Sequence, residues 1–313
     1  MGKYVFGVDI GGTTAKLGLF DVEGNVLDKW EIPTGRVGNG EAILPDIAKS
    51  IQEKMAEKGI AKEDVTGVGV GAPGAVDDQG VLVNGAVNLG WGVFNLSEKL
   101  GGLLDLKVVA GNDANVAAYG EMWQGGGKGY DSIVAVTLGT GVGGGIIING
   151  RLINGATGGA GEIGHIHLED NEEEACGCKN HGCLEQYASA TGIVRLARRR
   201  LAKDNAPTVL RDQEVTAKTV FDAVKAGDQV AIEIANQFGE YLGKGLAAVA
   251  DVVNPQAFVI GGGVSKAGEI LLTFVEPAFH KYVFGACKNV KFVLATLGND
   301  AGIYGAAGLV LAK

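Results

Sequence analysis

The chain has 313 residues and a net charge of −9, with 46% of its residues hydrophobic and 20% charged. That length buries one large core or two ordinary ones, and the acidic balance is the wrong footprint for nucleic acid. The start, MGKYVFGVDIGG, lacks a basic stretch followed by a long apolar run, and no run of about 18 uncharged apolar residues is present to cross a membrane. The sequence therefore reads as cytoplasmic, with no signal peptide and neither nucleic acid nor membrane as partner.

Glycine occupies 53 positions, mostly at the ends of apolar runs. Residues 3–9 read as a strand, turned by Gly11-Gly12 into a second strand at 15–20. Glu23-Gly24-Asn25 turns that into a third, 26–32. A helix follows over 41–58, where Ile43, Ile47, Ile51 and Met55 make an i,i+4 stripe. A strand at 65–70 leads into GAPGAVD, and another at 107–110 leads into GNDAN and a helix start. The opening pattern then recurs. A strand at 132–138 is turned by Gly139-Thr140-Gly141 into 143–148, and Asn149-Gly150 signals a hairpin to 151–153. Helices are predicted at about 190–203, with the ARRR run as a solvated face, and at 228–253, stopped by Asn254-Pro255. A strand at 258–260 ends at Gly261-Gly262-Gly263, and a last strand at 290–297 precedes a helix over 300–311. Two three-stranded meanders, each with a glycine-rich first turn, argue for an internal duplication and two related α/β domains.

Gly69-Gly71-Gly74 and Gly139-Gly141-Gly144 both fit GxGxxG. A dinucleotide fingerprint needs a helix next, to face the pyrophosphate. Gly144 runs into a β-branched strand and Gly74 into a turn, so neither qualifies. Exposed N–H groups at a glycine hairpin can still cradle phosphate. Asp9 precedes the first hairpin and Thr13, Thr14 and Lys16 follow it, offering a carboxylate for Mg²⁺ through water and hydroxyls for phosphate oxygens. Asp113 in GNDAN stands at a helix start. It is either an ordinary cap, kept ionised by the helix dipole, or a general base for a sugar hydroxyl. Asn88, Asn112, Glu162 and Glu185 are further groups suited to sugar hydroxyls, and Trp91 is core or pocket wall.

Cys176, Cys178 and Cys183 crowd into eight residues. In a reducing compartment that spacing points to zinc, with a redox thiol site as the other reading. His165 is the best fourth ligand, with His167 and His181 as rivals, and Cys287 reads as a small buried residue.

Together these motifs resemble the ROK family, named for repressors, open reading frames and kinases. The resemblance rests on DIGGTTAK at 9–16, GAPGAVD at 71–77, VNLGW at 87–91, GNDAN at 111–115 and LGTGVGGG at 138–145. EIGH at 162–165, CGCKNHGCLE at 176–185 and IGGGVS at 260–265 complete it. It implies an α/β fold of two actin-like (ribonuclease-H-like) domains with mixed sheets around a central cleft. The domains would be 1–113 plus 300–313, and 114–299 with the zinc loop. It implies ATP-dependent phosphorylation of glucose or a related hexose such as N-acetylmannosamine, mannose or fructose, by a homodimer or homotetramer. Asp113 would be the catalytic base. Gly74, Asn88, Asn112, Asp113, Glu162, His165 and Glu185 would bind the sugar. Asp9, Gly11, Gly12, Thr13, Thr14 and Lys16 would serve ATP and Mg²⁺, with Thr137, Gly139, Thr140, Gly141, Gly261, Gly262 and Gly263. Zn²⁺ would be structural, held by His165, Cys176, Cys178 and Cys183, and would order the sugar-binding loop. On this view metal loss weakens sugar binding far more than nucleotide binding, because the phosphate turns are elsewhere in sequence. A family repressor would carry a helix-turn-helix ahead of the DIGGT strand, for which ten residues leave no room. One departure stands out: a glycine is usual after the second cysteine, where this chain has Lys179, which bears on the local turn and not on the ligands.

Overall fold

The structure, a computed structural model, describes residues 2–35 and 38–312. Strands β1 (Tyr4–Ile10), β2 (Thr14–Asp21), β3 (Val26–Pro33), β4 (Val65–Ala72) and β7 (Val108–Asn112) form one sheet in the order β3-β2-β1-β4-β7. Strands β8 (Ile133–Leu138), β9 (Val142–Ile148), β10 (Arg151–Leu152), β11 (Ala257–Gly261) and β12 (Lys291–Leu294) form another in the order β10-β9-β8-β11-β12. The order is the same twice: a consecutive meander, then two strands added in parallel. The duplication read from the glycine turns is therefore present in the topology. Short strands β5 (Val81–Leu82) and β6 (Phe94–Asn95) pair separately.

The chain divides into two compact units. One takes residues up to Asp131, Gly145–Gly161 and everything from Leu297; the other takes Ser132–Gly144 and Glu162–Thr296. In the first unit, alternation along β1 sends Phe6 and Val8 to one face and Val5 to the other. The Phe6 face packs on α1 (Ile43–Lys58) through Ile43, Ile47 and Ile51, and on α2 (Leu96–Leu104) through Leu96 and Leu100. The Val5 face takes α9 (Ala301–Leu311) through Ile303, Ala307 and Val310. Helix α9 lies close because Gly7 has no side chain; a Cβ there would be 2.0 Å from the Ile303 carbonyl oxygen. Helix α3 (Asp113–Gln124) packs on α9 in the same way, a Cβ on Gly305 falling 1.6 Å from the Val116 oxygen. This unit therefore runs past residue 113.

In the second unit the buried core includes Val134, Val136, Phe258 and Ile260 from the strands, with Phe238 and Leu242 of α7 (Gln229–Val253) and Phe279 of α8 (Ile270–Tyr282). Asp228 caps α7 and left-handed Asn254 ends it, matching the predicted stop. Helix α5 (Ala190–Leu201) corrects one expectation. Its ARRR run is a solvated face only in part: Arg198 and Arg199 are exposed, but Arg200 is buried and bonded to Glu233 and Asp204, and Arg199 grips Glu172. Trp91 is core, its Nε1 donating to the Gly40 carbonyl at 3.0 Å.

Candidate active site and metal centre

In the first unit, Asp9 is the penultimate residue of β1, and the chain turns sharply before β2. The Gly11 N–H bonds the Thr14 carbonyl at 3.0 Å, the Thr34 N–H bonds the Thr13 carbonyl at 2.8 Å, and the Thr34 hydroxyl bonds the Gly11 carbonyl at 2.8 Å. No heavy atom lies within 4 Å of the place a Gly12 Cβ would occupy, so one side of the turn is open to a ligand. Lys16 faces Asp9 across the β1–β2 ladder and donates to the Asn299 carbonyl at 2.9 Å.

Asp113 belongs to the same unit. It does not cap α3. Asn112 does, its Oδ1 accepting from the N–H groups of Ala114 (3.0 Å) and Asn115 (3.2 Å), so Asp113 is the first helical residue. Asn112 Nδ2 donates to the Gly74 carbonyl and to Asp113 Oδ1, each at 3.0 Å, which ties Gly74, Asn112 and Asp113 into one cluster. Asn88 is exposed on a short 3₁₀ turn. The helix dipole was expected to hold Asp113 low. Burial instead raises its pKa above the ordinary carboxylate value, against the hydrogen bonds from Ala114 and Asn112. Asp9 is pushed up to about 6, by burial first and then by the charge of Asp113.

In the second unit, β8 leads into Gly139-Thr140-Gly141, and Gly261 at the end of β11 pairs with Thr137. Gly262 is left-handed and packs against Leu138, while Gly139 and Gly263 have open space where a side chain would be. Two bonds from the start of α5 fix the glycine turn: Ala190 N–H to the Gly139 carbonyl at 2.8 Å, and the Thr191 hydroxyl to the Thr140 carbonyl at 2.7 Å. A cavity of about 230 Å³ beside it is lined by Thr140, Gly141, Cys176, Glu185 and Arg195 among others.

Ligand atoms of His165, Cys176, Cys178 and Cys183 all lie within 4.8 Å of one another. Cys178 and Cys183 sulfurs are 3.6 Å apart, and Cys176 Sγ is 3.7 Å from His165 Nδ1. A tetrahedral zinc with Zn–S bonds of about 2.3 Å spaces its sulfurs by roughly 3.8 Å, so the donor set fits zinc. The rivals are engaged elsewhere. His167 bonds the His181 carbonyl and Asp170 through its two ring nitrogens, and His181 Nδ1 donates to the Glu172 carbonyl. Burial and then the bond to Glu185 push the Cys176 thiol up to about 12, and burial raises Cys183 as well. Reactive thiols need lowered values and access. Cys176 and Cys183 lack both, whereas Cys178 is only half-buried and is held low chiefly by the Asn180 N–H, so what favours a metal over a redox thiol is the convergence of four donors.

Glu185 opens the short helix α4 (Glu185–Ala188) two residues after Cys183. Its Oε1 accepts from Cys176 Sγ at 2.8 Å, and its Oε2 lies 3.4 Å from the Val142 N–H. Gly141 must be glycine for that approach, since a Cβ would sit 2.4 Å from Oε2. One carboxylate thus touches both the cysteine cluster and the phosphate-type turn, which no spacing in the sequence revealed. His165 turns Nε2 toward Glu162, 3.9 Å away.

The sequence profile of the ROK family matches residues 5–313. The chain belongs to the ROK family. A glucokinase from Halalkalibacterium halodurans is 42% identical over 98% of this chain and 95% of its own length. A glucokinase of Streptomyces coelicolor is 38% identical over 97% of this chain and 96% of its own. Among solved structures, a ROK family glucokinase from Streptomyces griseus in complex with glucose and AMPPNP is 36% identical, with a TM-score of 0.71 and 98% of each chain covered.

Residues bonded around the candidate site that sequence reading missed are Ser189, Thr191, Glu172 and Arg199. Ser189 Oγ links Thr191 to the Glu185 carbonyl, at 2.9 and 2.6 Å. Opposite-sign runs EDNEEE and ARRR hint at the Glu172–Arg199 pair, but nothing in their spacing pairs two particular members.

Proposed function

We propose that this ROK kinase transfers the γ-phosphoryl group of ATP to the 6-hydroxyl of glucose, giving glucose 6-phosphate and ADP. The observation that carries the reading is the full-length likeness to glucokinases at 36–42% identity, joined to a polar set suited to sugar hydroxyls. Asp113 is the base: its carboxylate accepts the 6-hydroxyl proton as that oxygen attacks phosphorus. The raised pKa supports the role, since a base must be basic enough to hold the proton it takes. Asn112 orients that carboxylate through its Nδ2, and Asn88, Glu162, His165 and Glu185 bind the remaining hydroxyls. The Gly11–Thr14 and Gly139–Gly141 turns offer N–H groups to phosphate oxygens.

Mg²⁺ would supply charge neutralisation at the phosphates, and Asp9 would be the carboxylate that holds it. Its pKa of about 6, raised partly by Asp113, fits a residue whose ionised form needs a neighbouring cation. Zn²⁺ would be structural, held by His165 Nδ1 and three thiolates, and its contribution is to order the loop bearing Glu162, His165 and Glu185. A coupled assay of ADP release over glucose, mannose, fructose, N-acetylmannosamine and N-acetylglucosamine tests the acceptor. Glucose should give the highest kcat/KM. A higher value with an N-acetylhexosamine would replace glucose with that sugar.

A further inference from the structure

Glu172 lies in the acidic run EDNEEE, where carboxylates ordinarily face water. Its neighbour Glu174 does so, with 61% of its side chain exposed, but the Glu172 side chain is only 2% exposed. A carboxylate withdrawn from water is costly unless it is paired and its oxygens are filled. Here four donors fill them. Arg199 grips both oxygens, Nη1 to Oε2 at 2.9 Å and Nη2 to Oε1 at 2.8 Å. The Tyr187 hydroxyl donates to Oε2 at 2.6 Å and the Glu174 N–H to Oε1 at 3.0 Å. Arg199, the largest cause, and then Tyr187 hold the carboxylate down at about 2 despite its burial.

The partners sit where the loop must be held. Tyr187 is two residues beyond Glu185 on α4, and its ring stacks on Tyr241 of α7 with centroids 4.0 Å apart. The Glu172 carbonyl accepts from His181 Nδ1 at 3.0 Å, between the second and third cysteines. None of these contacts involves a proposed zinc ligand.

We infer that Glu172 is a positioning residue of the acceptor site: gripped by Arg199 and Tyr187, it docks the loop before α4 onto α4 and α5 independently of the metal, and so sets where Glu185 and His165 stand. This rests on the reading of that loop as the zinc-ordered, sugar-binding segment. Metal and carboxylate are then two anchors of one loop that share no contact, and loss of the carboxylate loosens the loop that the metal also holds.

The test compares wild type, Glu172→Gln and Arg199→Lys. Glutamine turns an NH₂ toward a donor, and lysine keeps the charge without the two-pronged grip. The measurements are zinc content, the rate of zinc transfer to a chromogenic chelator, and KM for glucose and for ATP. Glu172→Gln should release zinc at least tenfold faster and raise the glucose KM at least tenfold, with ATP KM within about threefold of wild type. Arg199→Lys should fall between the two in both readouts, and it decides alone if Glu172→Gln does not fold. Wild-type zinc release and glucose KM in the folded variants would overturn the inference. So would equal losses of glucose and ATP affinity that merely track a lower melting temperature. Wild-type protein without zinc, or without hexose phosphorylation, would instead overturn the underlying reading.

Discussion

Asp113 carries the chemistry proposed for this protein, and its substitution has a specific signature. Asp113→Asn keeps the size and most hydrogen bonds but cannot accept a proton. It should lower kcat by roughly 10²–10⁴ with a smaller change in glucose KM, measured in steady state. Asp9 makes a separate, pH-dependent prediction. Its folded pKa, about 6, lies above its ordinary 3.8. Stability is unaffected below 3.8, falls as pH rises toward 6 because only the unfolded chain releases the proton, and stays lowered above that by up to about 3 kcal/mol. Asp9→Asn should therefore raise the melting temperature of the ligand-free protein at pH 8, the gain shrinking as pH falls toward 4, while activity is lost. An equal shift at both pH values would remove burial of the charge as the cause. Lys179 stands where the family usually has glycine, and the structure shows why glycine fits: its φ is 73°, in the left-handed region. The turn forms regardless, Lys179 N–H bonding the Cys176 carbonyl at 2.8 Å. Lys179→Gly relieves that strain and should stabilise the protein by roughly 0.5–1 kcal/mol, read as a higher melting temperature with zinc content unchanged.

The loop from Glu162 to Glu185 gains its meaning from contacts between elements. Cys178→Ser should remove zinc and raise the glucose KM by roughly ten- to several-hundred-fold, since two or three hydrogen bonds of about 0.5–1.5 kcal/mol each are lost. Distance in sequence suggested that ATP binding would be untouched. Glu185 lies against Gly141 and Val142, so the ATP KM should rise too, though by less. Elemental analysis together with both KM values checks this. Unchanged values after complete metal loss would leave the cluster a mere surface staple. The four-donor cluster was legible because cysteines and a nearby histidine announce themselves by type. Glu172 and Arg199 were not, because their meaning depends on burial, and a carboxylate in an acidic run looks solvated until the fold removes it from water. Helix α8 went unread for a similar reason. Pro277 inside it removes an N–H and argues against a helix, yet burial of Leu271, Leu272, Val275 and Phe279 prevails.

At the scale of the whole molecule, one strand order used twice gives each sheet a glycine-turned hairpin and leaves its loops to differ. The two meanders were legible because their first strands are short apolar runs turned by glycine; the parallel addition of β4 and β7, and of β11 and β12, was not, since no local pattern names a distant neighbour. Local patterning could not disclose that α3 and the residues 145–161 pack with the N-terminal part of the chain, a matter of glycine-mediated contacts between distant segments such as Gly305 and Val116. The central claim is a reaction, and ³¹P NMR of the protein with Mg-ATP and glucose reads it directly. Growth of the glucose 6-phosphate resonance in step with ADP is the predicted result. Inorganic phosphate in its place, or no loss of ATP in a zinc-replete preparation, would contradict it.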